Sequence, residues 1–578
     1  MSIAARGALS AEYRVEGRVE TASLDAAVLT VASSVDRWAA TGAATREALL
    51  TQVLRDLGSA ADDWHLAACQ AKGLDPASNE GGEELVAGVG VVARYIQQLR
   101  ASMREIAARG RPRIPGPTRH APGGRLAVGV VPRDAFDRVL LARQRGEVWM
   151  APGLTLDDVT AGQAAAYRDP EANRGVALVL AAGNVASLGP NDALCKLFVA
   201  GKVVVLKANP VNDYLVEHWE RALKALIDEG VLRIVRGGAT AGAHLVAHSL
   251  IDEVHVTGSD KTHDAIVFGP GKDGARRKAA GVRLVTKPVT AELGNVSPIL
   301  VVPGSWSAKE LRYQANHVAS MLVNNAGFNC LTPRVLLTWR HWAQRAAFLH
   351  ELECVLASIP TRVAYYPGAR DRHAMFLDAH PDAHRIGAAD DDRLPWTVIR
   401  DLDASRRGDI ALNVEAFCGL LAETSLDTAT VDQFVDAAVE YCNGVIWGSL
   451  AVTVLAHPRE LRDELVGSRI AAAVASLRYG SIGLNLWHAW SFAFATTTWG
   501  AYPGHSVTDI QSGTGVVGNA LMFDRPQKSV VTGPFRSVPA PPTFATADHG
   551  AAAMRRFVRF QLDPGLVAAL GVVAAAAR

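Results

Sequence analysis

The residue whose surroundings point most clearly to chemistry is Cys330. It follows a small, polar stretch, residues 324–329 (NNAGFN), in a chain that is otherwise rich in apolar residues. Glu292 precedes it by 38 positions and lies between the apolar residues Ala291 and Leu293. A cysteine in a loop is more often a buried filler than a nucleophile. A thiolate near a carboxylate that accepts protons can nevertheless attack a carbon centre, so this pair predicts nucleophilic chemistry.

Polar residues also stand at the ends of three predicted strands. Asn184, Lys207 and the pair Gly258-Ser259 each come at or just after the end of a short apolar run. Ligands of parallel sheets bind outside the carboxyl ends of the strands, and these ends share one edge. We therefore expect these residues to converge where a dinucleotide would lie.

The elements that must position these residues form an alternating pattern. From residue 174 onward, short apolar runs such as 176–181 and 203–206 are followed by segments with helical spacing. This alternation predicts an α/β fold with a doubly wound parallel sheet, the architecture of a nucleotide-binding lobe. Such sheets also bind other ligands, so alternation alone leaves the ligand open.

A second α/β stretch begins near Glu292. Ser307 and Glu310 have the spacing of a capping box that opens a helix, and this predicted helix runs out at residues 324–327. We therefore expect Cys330 to lie in a loop directly after a rigid element.

Five short motifs together resemble those of a known family. They are Leu206-Lys207, Val256-Thr257-Gly258-Ser259, Glu292-Leu293-Gly294, Gly327-Phe328-Asn329-Cys330 and Glu415-Ala416-Phe417. Their order, and the 23-residue step from Asn184 to Lys207, resemble the aldehyde dehydrogenase superfamily over roughly residues 30–500. The resemblance implies an aldehyde dehydrogenase-like fold, with a parallel-sheet cofactor domain, an α/β catalytic domain and a small β oligomerisation element.

The resemblance implies that the chain oxidises an aldehyde to a carboxylic acid. Cys330 would attack the aldehyde to form a thiohemiacetal, and loss of hydride would leave a thioester on its sulfur. The Asn184 side-chain amide and the Cys330 N–H would hold the oxyanion. Glu292, with a pKa raised by its apolar setting, would activate the water that releases the acid.

The resemblance also implies a nicotinamide dinucleotide, NAD or NADP. Lys207 would bind the adenosine ribose, Gly258 and Ser259 the pyrophosphate, and Glu415 and Phe417 the nicotinamide ribose and ring. Several positions depart from the family pattern: Pro210, His263, Asn295, Phe328 and Cys418. Pro210 replaces the usual acidic residue, so the choice between NAD and NADP stays open.

Other interpretations remain for these residues. The thioester could pass to coenzyme A, although a water-activating Glu292 argues against this, or the chain could be a catalytically silent homologue. Glu292 could be a salt-bridge partner, Asn184 a turn former and Lys207 a surface lysine. His373, His380 and His384 match no ligand motif, so no metal is predicted. Four aromatic residues near the C-terminal end could either pack in the core or line a tunnel for an apolar aldehyde. They are Trp487, His488, Trp490 and Phe492.

Composition excludes other classes of protein. The formal net charge of +1 offers no basic field for nucleic acid, and the six cysteines show no CxxC spacing. The first twenty residues lack the apolar segment of a signal peptide. No apolar run approaches the roughly 20 residues that span a bilayer. We predict a cytoplasmic protein without an integral membrane segment.

We predict five segments in the chain. They are an N-terminal helical part of the cofactor domain (1–124), a projecting β-hairpin for oligomerisation (125–153), a Rossmann-like NAD(P)-binding domain (154–291), a catalytic domain (292–500) and a C-terminal oligomerisation segment with its tail (501–578). The hairpin and the C-terminal segment favour a homodimer or homotetramer.

Overall fold

A computed structural model describes residues 21–141 and 143–576 of the chain. The first twenty residues, where we expected no signal peptide, lie outside this part. Within the described ranges, no helix is long and apolar enough to cross a membrane.

The strands of the described residues are numbered β1 to β19 in chain order. They are Thr118–Ala121, Arg125–Val131, Arg145–Met150, Val176–Leu180, Val203–Lys207, Leu232–Val235, Glu253–Gly258, Val289–Leu293, Ser297–Val301, Pro333–Trp339, His384–Ile386, Trp396–Leu402, Leu420–Leu426, Ala451–Leu455, Ser481–Leu484, Thr498–Trp499, Gly513–Thr514, Val517–Gly518 and Pro526–Thr532.

The α-helices surround these strands. They are Thr21–Ala32, Val35–Ala40, Ala43–Lys72, Asn79–Leu85, Val91–Arg109, Ala135–Leu140, Leu156–Gly162, Ala165–Arg168, Pro170–Asn173, Leu188–Leu194, Val216–Ala222, Lys224–Asp228, Ala239–Ala247, Asp260–Val267, Gly271–Ala279, Ala308–Val323, Arg345–Ser358, Ala369–Ala379, Ile410–Asn413, Val431–Gly444, Pro458–Arg462, Glu464–Ser476, Trp490–Ala493, Gly550–Leu562 and Leu566–Ala576. Two π-helical turns, Val86–Gly90 and Cys195–Val199, and a 3₁₀ turn, Pro210–Leu215, adjoin these helices.

The first large sheet has the order β17-β8-β7-β4-β5-β6. Its central strands run parallel, and β17 joins one edge antiparallel to β8. Strands β4 and β5 are nearly all β-branched or aliphatic and are buried because helices cover both faces. The predicted doubly wound parallel sheet is therefore confirmed.

The second large sheet has the order β1-β2-β3-β19-β15-β14-β9-β10-β13-β12-β11. The predicted hairpin strands β2 and β3 pair antiparallel and continue into this sheet through β19. The five-segment division of the chain stays a prediction.

The chain passes from the first sheet to the second between β8 and β9. Only residues 294–296 separate these strands, so the chain leaves one sheet at Glu292-Leu293 and enters the other at Ser297. The Asn295 side chain fixes this crossing, because its Nδ2 donates to Ser297 Oγ and to the Ala451 carbonyl, each at 2.9 Å. The mixed α/β architecture places Glu292 where the sheets join.

Candidate active site

One cleft of about 1180 Å³ opens at the carboxyl ends of the first sheet. All eight residues predicted for the site line it: Asn184, Lys207, Gly258, Ser259, Glu292, Cys330, Glu415 and Phe417. The structure thus brings together residues that lie up to 233 positions apart in the chain, from Asn184 to Phe417.

The loop that carries Cys330 begins where the helix Ala308–Val323 ends. Ser307 and Glu310 form the predicted capping box at the start of this helix. Beyond its end, Asn325, Ala326 and Gly327 all have positive φ, at 49°, 56° and 80°. This left-handed turn reverses the chain and presents Cys330 to the cleft, as the predicted loop position required.

Gly327 is the residue in this turn that can least be replaced. A Cβ atom there would lie 2.5 Å from the backbone carbonyl of Cys418, closer than real contacts allow. The Arg334 guanidinium holds the same loop, because its Nη2 donates to the Gly327 carbonyl at 2.8 Å. Two physical features therefore require a glycine at position 327: the positive φ and the close approach of the Cys418 backbone.

We expect Gly327→Ala to lower the rate of a reaction at the Cys330 sulfur by about a hundredfold, because a displacement near 1 Å at a reacting atom can cost that much. Steady-state rates would measure the loss of activity, and thermal unfolding would show whether the variant is still folded. Gly110→Ala is the matched control, since Gly110 has a similar φ of 79° but no neighbour within 4 Å of a built Cβ. Equal effects of the two variants on turnover would contradict a special role for Gly327.

Cys330 is half-buried at the floor of the cleft. Burial raises the pKa of its thiol well above the ordinary value, and the negative charges of Glu292 and Glu415 add to this effect. The thiol therefore keeps its proton until a neighbouring group accepts it.

Glu292 lies on β8, beside Thr257 of β7 and Gly513 of β17. It is 3% exposed, and its Oε1 has no hydrogen-bond partner among the described residues. Burial, and next the charge of Asp192, raise its pKa to about 8, while hydrogen bonds with Trp499 and Cys330 oppose the rise. The expectation that an apolar setting raises the pKa of Glu292 is confirmed.

Asn184 is buried beside the cysteine loop. Its side-chain Nδ2 donates to the Phe328 carbonyl at 2.9 Å, two residues before the nucleophile candidate. Its own carbonyl accepts three hydrogen bonds, from Tyr365 Oη at 2.7 Å, Asn325 Nδ2 at 2.9 Å and Lys72 Nζ at 3.3 Å. The backbone of Asn184 is thus tied directly to the loop that carries Cys330.

Sequence reasoning missed the buried ion pair behind Asn184. Lys72 Nζ lies 2.6 Å from Glu84 Oε2, and both side chains are almost fully buried. The same ammonium donates to Asn325 Oδ1 at 3.1 Å. A buried lysine that is paired in this way fixes several polar atoms at once, and its loss leaves a buried charge unpaired. Neither residue belongs to a motif, so no local signal pointed to them.

Strand ends form the side of the cleft where a dinucleotide is predicted to bind. Lys207 ends β5, is 8% exposed and donates from Nζ to the Ala208 carbonyl at 3.1 Å. Ser259 caps the helix Asp260–Val267, because its Oγ accepts from the Thr262 N–H at 3.1 Å. Residues 259–262 at this helix start line the cleft, and the N–H groups at the start of a helix suit a phosphate.

Glu415 and Phe417 close the cleft on the side of the second sheet. Gly294 packs so tightly against the Glu415 carboxyl that a Cβ there would lie 2.0 Å from Oε2. Burial raises the pKa of Glu415 to about 7, and the charge of Arg334 opposes this. Phe417 has a φ of 45° and packs edge-on against Tyr366, with ring centroids 5.0 Å apart.

The remaining candidates have other partners. Trp487 Nε1 and His488 Nε2 each contact the Leu331 carbonyl, at 3.0 and 2.8 Å, so they support the residue after Cys330. The three histidines considered for a metal contact separate partners, which are Thr397, Asp409 and Glu353. No group of three or more potential metal ligands occurs within residues 21–141 and 143–576.

Residues 153–361 match the model of the aldehyde dehydrogenase family. Two curated relatives are N-succinylglutamate 5-semialdehyde dehydrogenases. That of Hahella chejuensis is 27% identical over 208 residues, covering 36% of this chain and 39% of the relative. That of Novosphingobium aromaticivorans is 30% identical over 183 residues, covering 32% and 35%. The chain therefore aligns with less than two-fifths of the length of either relative.

Solved structures match over far more of the chain. A putative aldehyde dehydrogenase from Burkholderia cenocepacia is 19% identical, with a TM-score of 0.59 over 88% of this chain and 91% of that one. An indole-3-acetaldehyde dehydrogenase in complex with NAD⁺ is 18% identical, with a TM-score of 0.59 over 88% of both chains. Residues 153–361 are thus similar in sequence to the aldehyde dehydrogenase family, and the chain shares the fold of solved aldehyde dehydrogenases.

Proposed function

We propose that the chain oxidises an aldehyde to a carboxylic acid, with NAD or NADP as the hydride acceptor. The observation that carries this proposal is the shared cleft, in which Cys330, Glu292 and Asn184 lie beside the strand ends of a doubly wound sheet. A thiol, a carboxyl group with a raised pKa and an amide donor are the three groups that acyl chemistry on sulfur requires.

The described residues fit a dinucleotide. The cleft has the size for one, the capped helix after Ser259 suits its pyrophosphate, and the buried Glu415 Oε1 has no hydrogen-bond partner within the described part of the chain. An oxygen of this kind can accept from a ribose hydroxyl. When bound, the nicotinamide would supply the hydride acceptor. Lys207 and Glu415 would hold the two riboses, and Phe417 would contact the ring.

The protein's own groups would act in sequence. Glu292 would take the proton of the Cys330 thiol, and the thiolate would attack the aldehyde carbon. The Asn184 amide and the Cys330 N–H would stabilise the oxyanion, and removal of one such donor typically costs about 3–4 kcal/mol. Once hydride is lost, a thioester remains on Cys330. The thiol proton would leave Glu292 before water attacks. The restored carboxylate would then take a proton from water, whose oxygen attacks the thioester and releases the acid, and that second proton would return to the Cys330 thiolate.

An aldehyde panel tests this function. Aldehydes from short to long and aromatic, each with NAD⁺ and with NADP⁺, should yield reduced nicotinamide, followed by its absorbance. We propose an apolar substrate, because the aromatic side chains of Tyr366 and Trp447 line the same cleft as Cys330. Turnover that occurs only with coenzyme A present would favour acyl transfer instead. If no aldehyde in the panel yields reduced nicotinamide, the result would count against any dehydrogenase activity.

We further propose a homodimer or homotetramer. Exposed apolar residues on the C-terminal helix Leu566–Ala576, among them Val567 at 85% exposure, offer a surface that a partner subunit would bury.

A further inference from the structure

A second buried carboxyl group lies behind Glu292. Asp192, on the helix Leu188–Leu194, is 1% exposed and belongs to none of the motifs. Its Oδ2 accepts a hydrogen bond from Thr257 Oγ1 at 2.8 Å. Its Oδ1 has no partner among the described residues. A buried carboxyl oxygen without a partner is costly, which indicates that it serves something other than packing.

The register of the first sheet brings Asp192 to Glu292. Thr257 of β7 and Glu292 of β8 are direct neighbours across parallel strands, so their side chains emerge on the same face. The Thr257 hydroxyl that holds Asp192 therefore lies beside Glu292. The two groups also interact electrostatically, since the negative charge of Asp192 is, after burial, a cause of the raised pKa of Glu292. Each carboxyl group also has one oxygen without a partner within the described part of the chain.

A row of polar groups continues from Asp192 along the same face. His255 Nε2 lies 3.4 Å from Thr257 Oγ1, and His255 Nδ1 lies 2.9 Å from Thr290 Oγ1. Burial lowers the pKa of His255 to about 3, so the ring is neutral and can accept on one nitrogen while it donates from the other. Thr290 then donates to His255, His255 to Thr257 and Thr257 to Asp192. Asp192 Oδ2 is thus the acceptor at the end of the row. Once Asp192 is protonated, the hydroxyls and the ring can each donate in the opposite direction and carry a proton away from it.

The far end of this row approaches solvent. Lys196 Nζ lies 3.4 Å from Thr290 Oγ1 and 2.8 Å from Glu253 Oε1. The Glu253 side chain is 20% exposed. The row thus joins the buried carboxyl pair to a charged pair at the rim of the sheet.

We propose that Asp192 receives the proton that Glu292 takes from the Cys330 thiol, between formation and hydrolysis of the thioester. This inference rests on the proposed function. In the first half-reaction the S–H bond breaks and an O–H bond forms on Glu292. That proton then passes to the Asp192 carboxylate, which restores the Glu292 carboxylate. In the second half-reaction Glu292 accepts a proton from water and passes it to the Cys330 thiolate that leaves the thioester. Asp192 then releases the first proton to solvent, which restores both carboxylates and the thiol. Asp192 acts through Glu292 and does not touch the aldehyde.

The pH dependence of this step depends on every charged or titratable group that faces Asp192. These groups are Glu292 of β8, His255 of β7, Lys196 and Cys195 of the turn that follows its own helix, and Tyr95 of the helix Val91–Arg109.

Asp192→Asn tests the proposal in the full-length chain. Stopped-flow mixing with aldehyde and NAD(P)⁺ should show an unchanged first burst of reduced nicotinamide, because the Glu292 that serves the first half-reaction is intact. The steady-state rate should fall by about tenfold to a hundredfold, and the acyl adduct on Cys330 should accumulate by intact-mass measurement. Asp192→Glu, which keeps the carboxyl group, should recover most of the rate.

Two results would overturn the proposal. One is an Asp192→Asn variant with wild-type turnover and an unchanged pH profile, and the other is equal loss of burst and turnover. If Asp192→Asn does not fold, Thr257→Val tests the proposal instead. Loss of its hydrogen bond raises the pKa of Asp192, so the pH profile of thioester hydrolysis should move, and an unmoved profile would refute the relay. A wild-type chain that forms no acyl adduct at all would instead refute the proposed function.

Discussion

Replacing Cys330 by alanine should abolish aldehyde-dependent reduction of the nicotinamide while dinucleotide binding persists. The cleft lining outside Cys330 is unchanged by this substitution, whereas the sulfur that would carry the thiohemiacetal and the thioester is lost. Loss of a catalytic nucleophile lowers turnover by about 10⁴-fold or more. Absorbance of the reduced nicotinamide measures the rate, and quenching of protein fluorescence measures binding of the dinucleotide.

Cys354→Ala is the matched control for this substitution. Cys354 is an exposed free cysteine that does not line the cleft, so its loss should leave turnover intact. Retained activity in Cys330→Ala, or an acyl adduct on a cysteine other than Cys330, would show that the nucleophile is assigned wrongly.

Glu292→Gln should slow hydrolysis of the thioester more than its formation. The substitution removes the negative charge of Glu292, which helps to raise the pKa of the Cys330 thiol, so the thiol loses its proton more easily in the variant. The attacking water, in contrast, depends on a base. We expect steady-state turnover to fall by about 10²–10⁴-fold, the usual range for a general base. The acyl adduct on Cys330 should then accumulate and be visible by mass spectrometry. Unchanged turnover together with an absent adduct would remove Glu292 from the mechanism.

The pH profile gives an independent test of Glu292. Its pKa is raised to about 8, and the carboxylate is the form that accepts a proton from water. Hydrolysis of the thioester should therefore speed up as pH rises through about 8 and level off above it. In Glu292→Gln this rise should disappear, and a rise that persisted in the variant would assign it to another group.

The same raised pKa predicts an effect on folding stability. A group whose pKa in the folded state lies above its unfolded value contributes stability below that unfolded value and loses it as pH rises through the folded one. The wild-type chain should therefore lose unfolding free energy as pH rises from about 4.5 to about 8, and the loss should level off above 8. Glu292→Gln should lose less, because it buries no charge. Thermal unfolding at about pH 5 and about pH 9 would compare the two.

The sequence by itself determined the first sheet and the residues at its edge. Short, nearly continuous β-branched runs read as strands buried on both faces, and parallel strands end on the same side. The sequence alone therefore predicts that three residues lie close together: Asn184, Lys207 and Ser259. The polar approach to Cys330 and the capping box at Ser307 likewise determined a loop after a helix, since both signals are local.

Only the tertiary structure decided what surrounds these residues. Lys72 meets Asn325 across 253 positions, and Asp192 meets Thr257 across 65. Strand β19 enters the second sheet between β3 and β15, and β17 returns to pair with Glu292. Periodicity describes a residue's own element, whereas such contacts depend on how distant elements pack. For this reason the sequence could identify the thiol, the carboxyl group and the amide, but not the buried residues that contact them or shift the pKa of the carboxyl group.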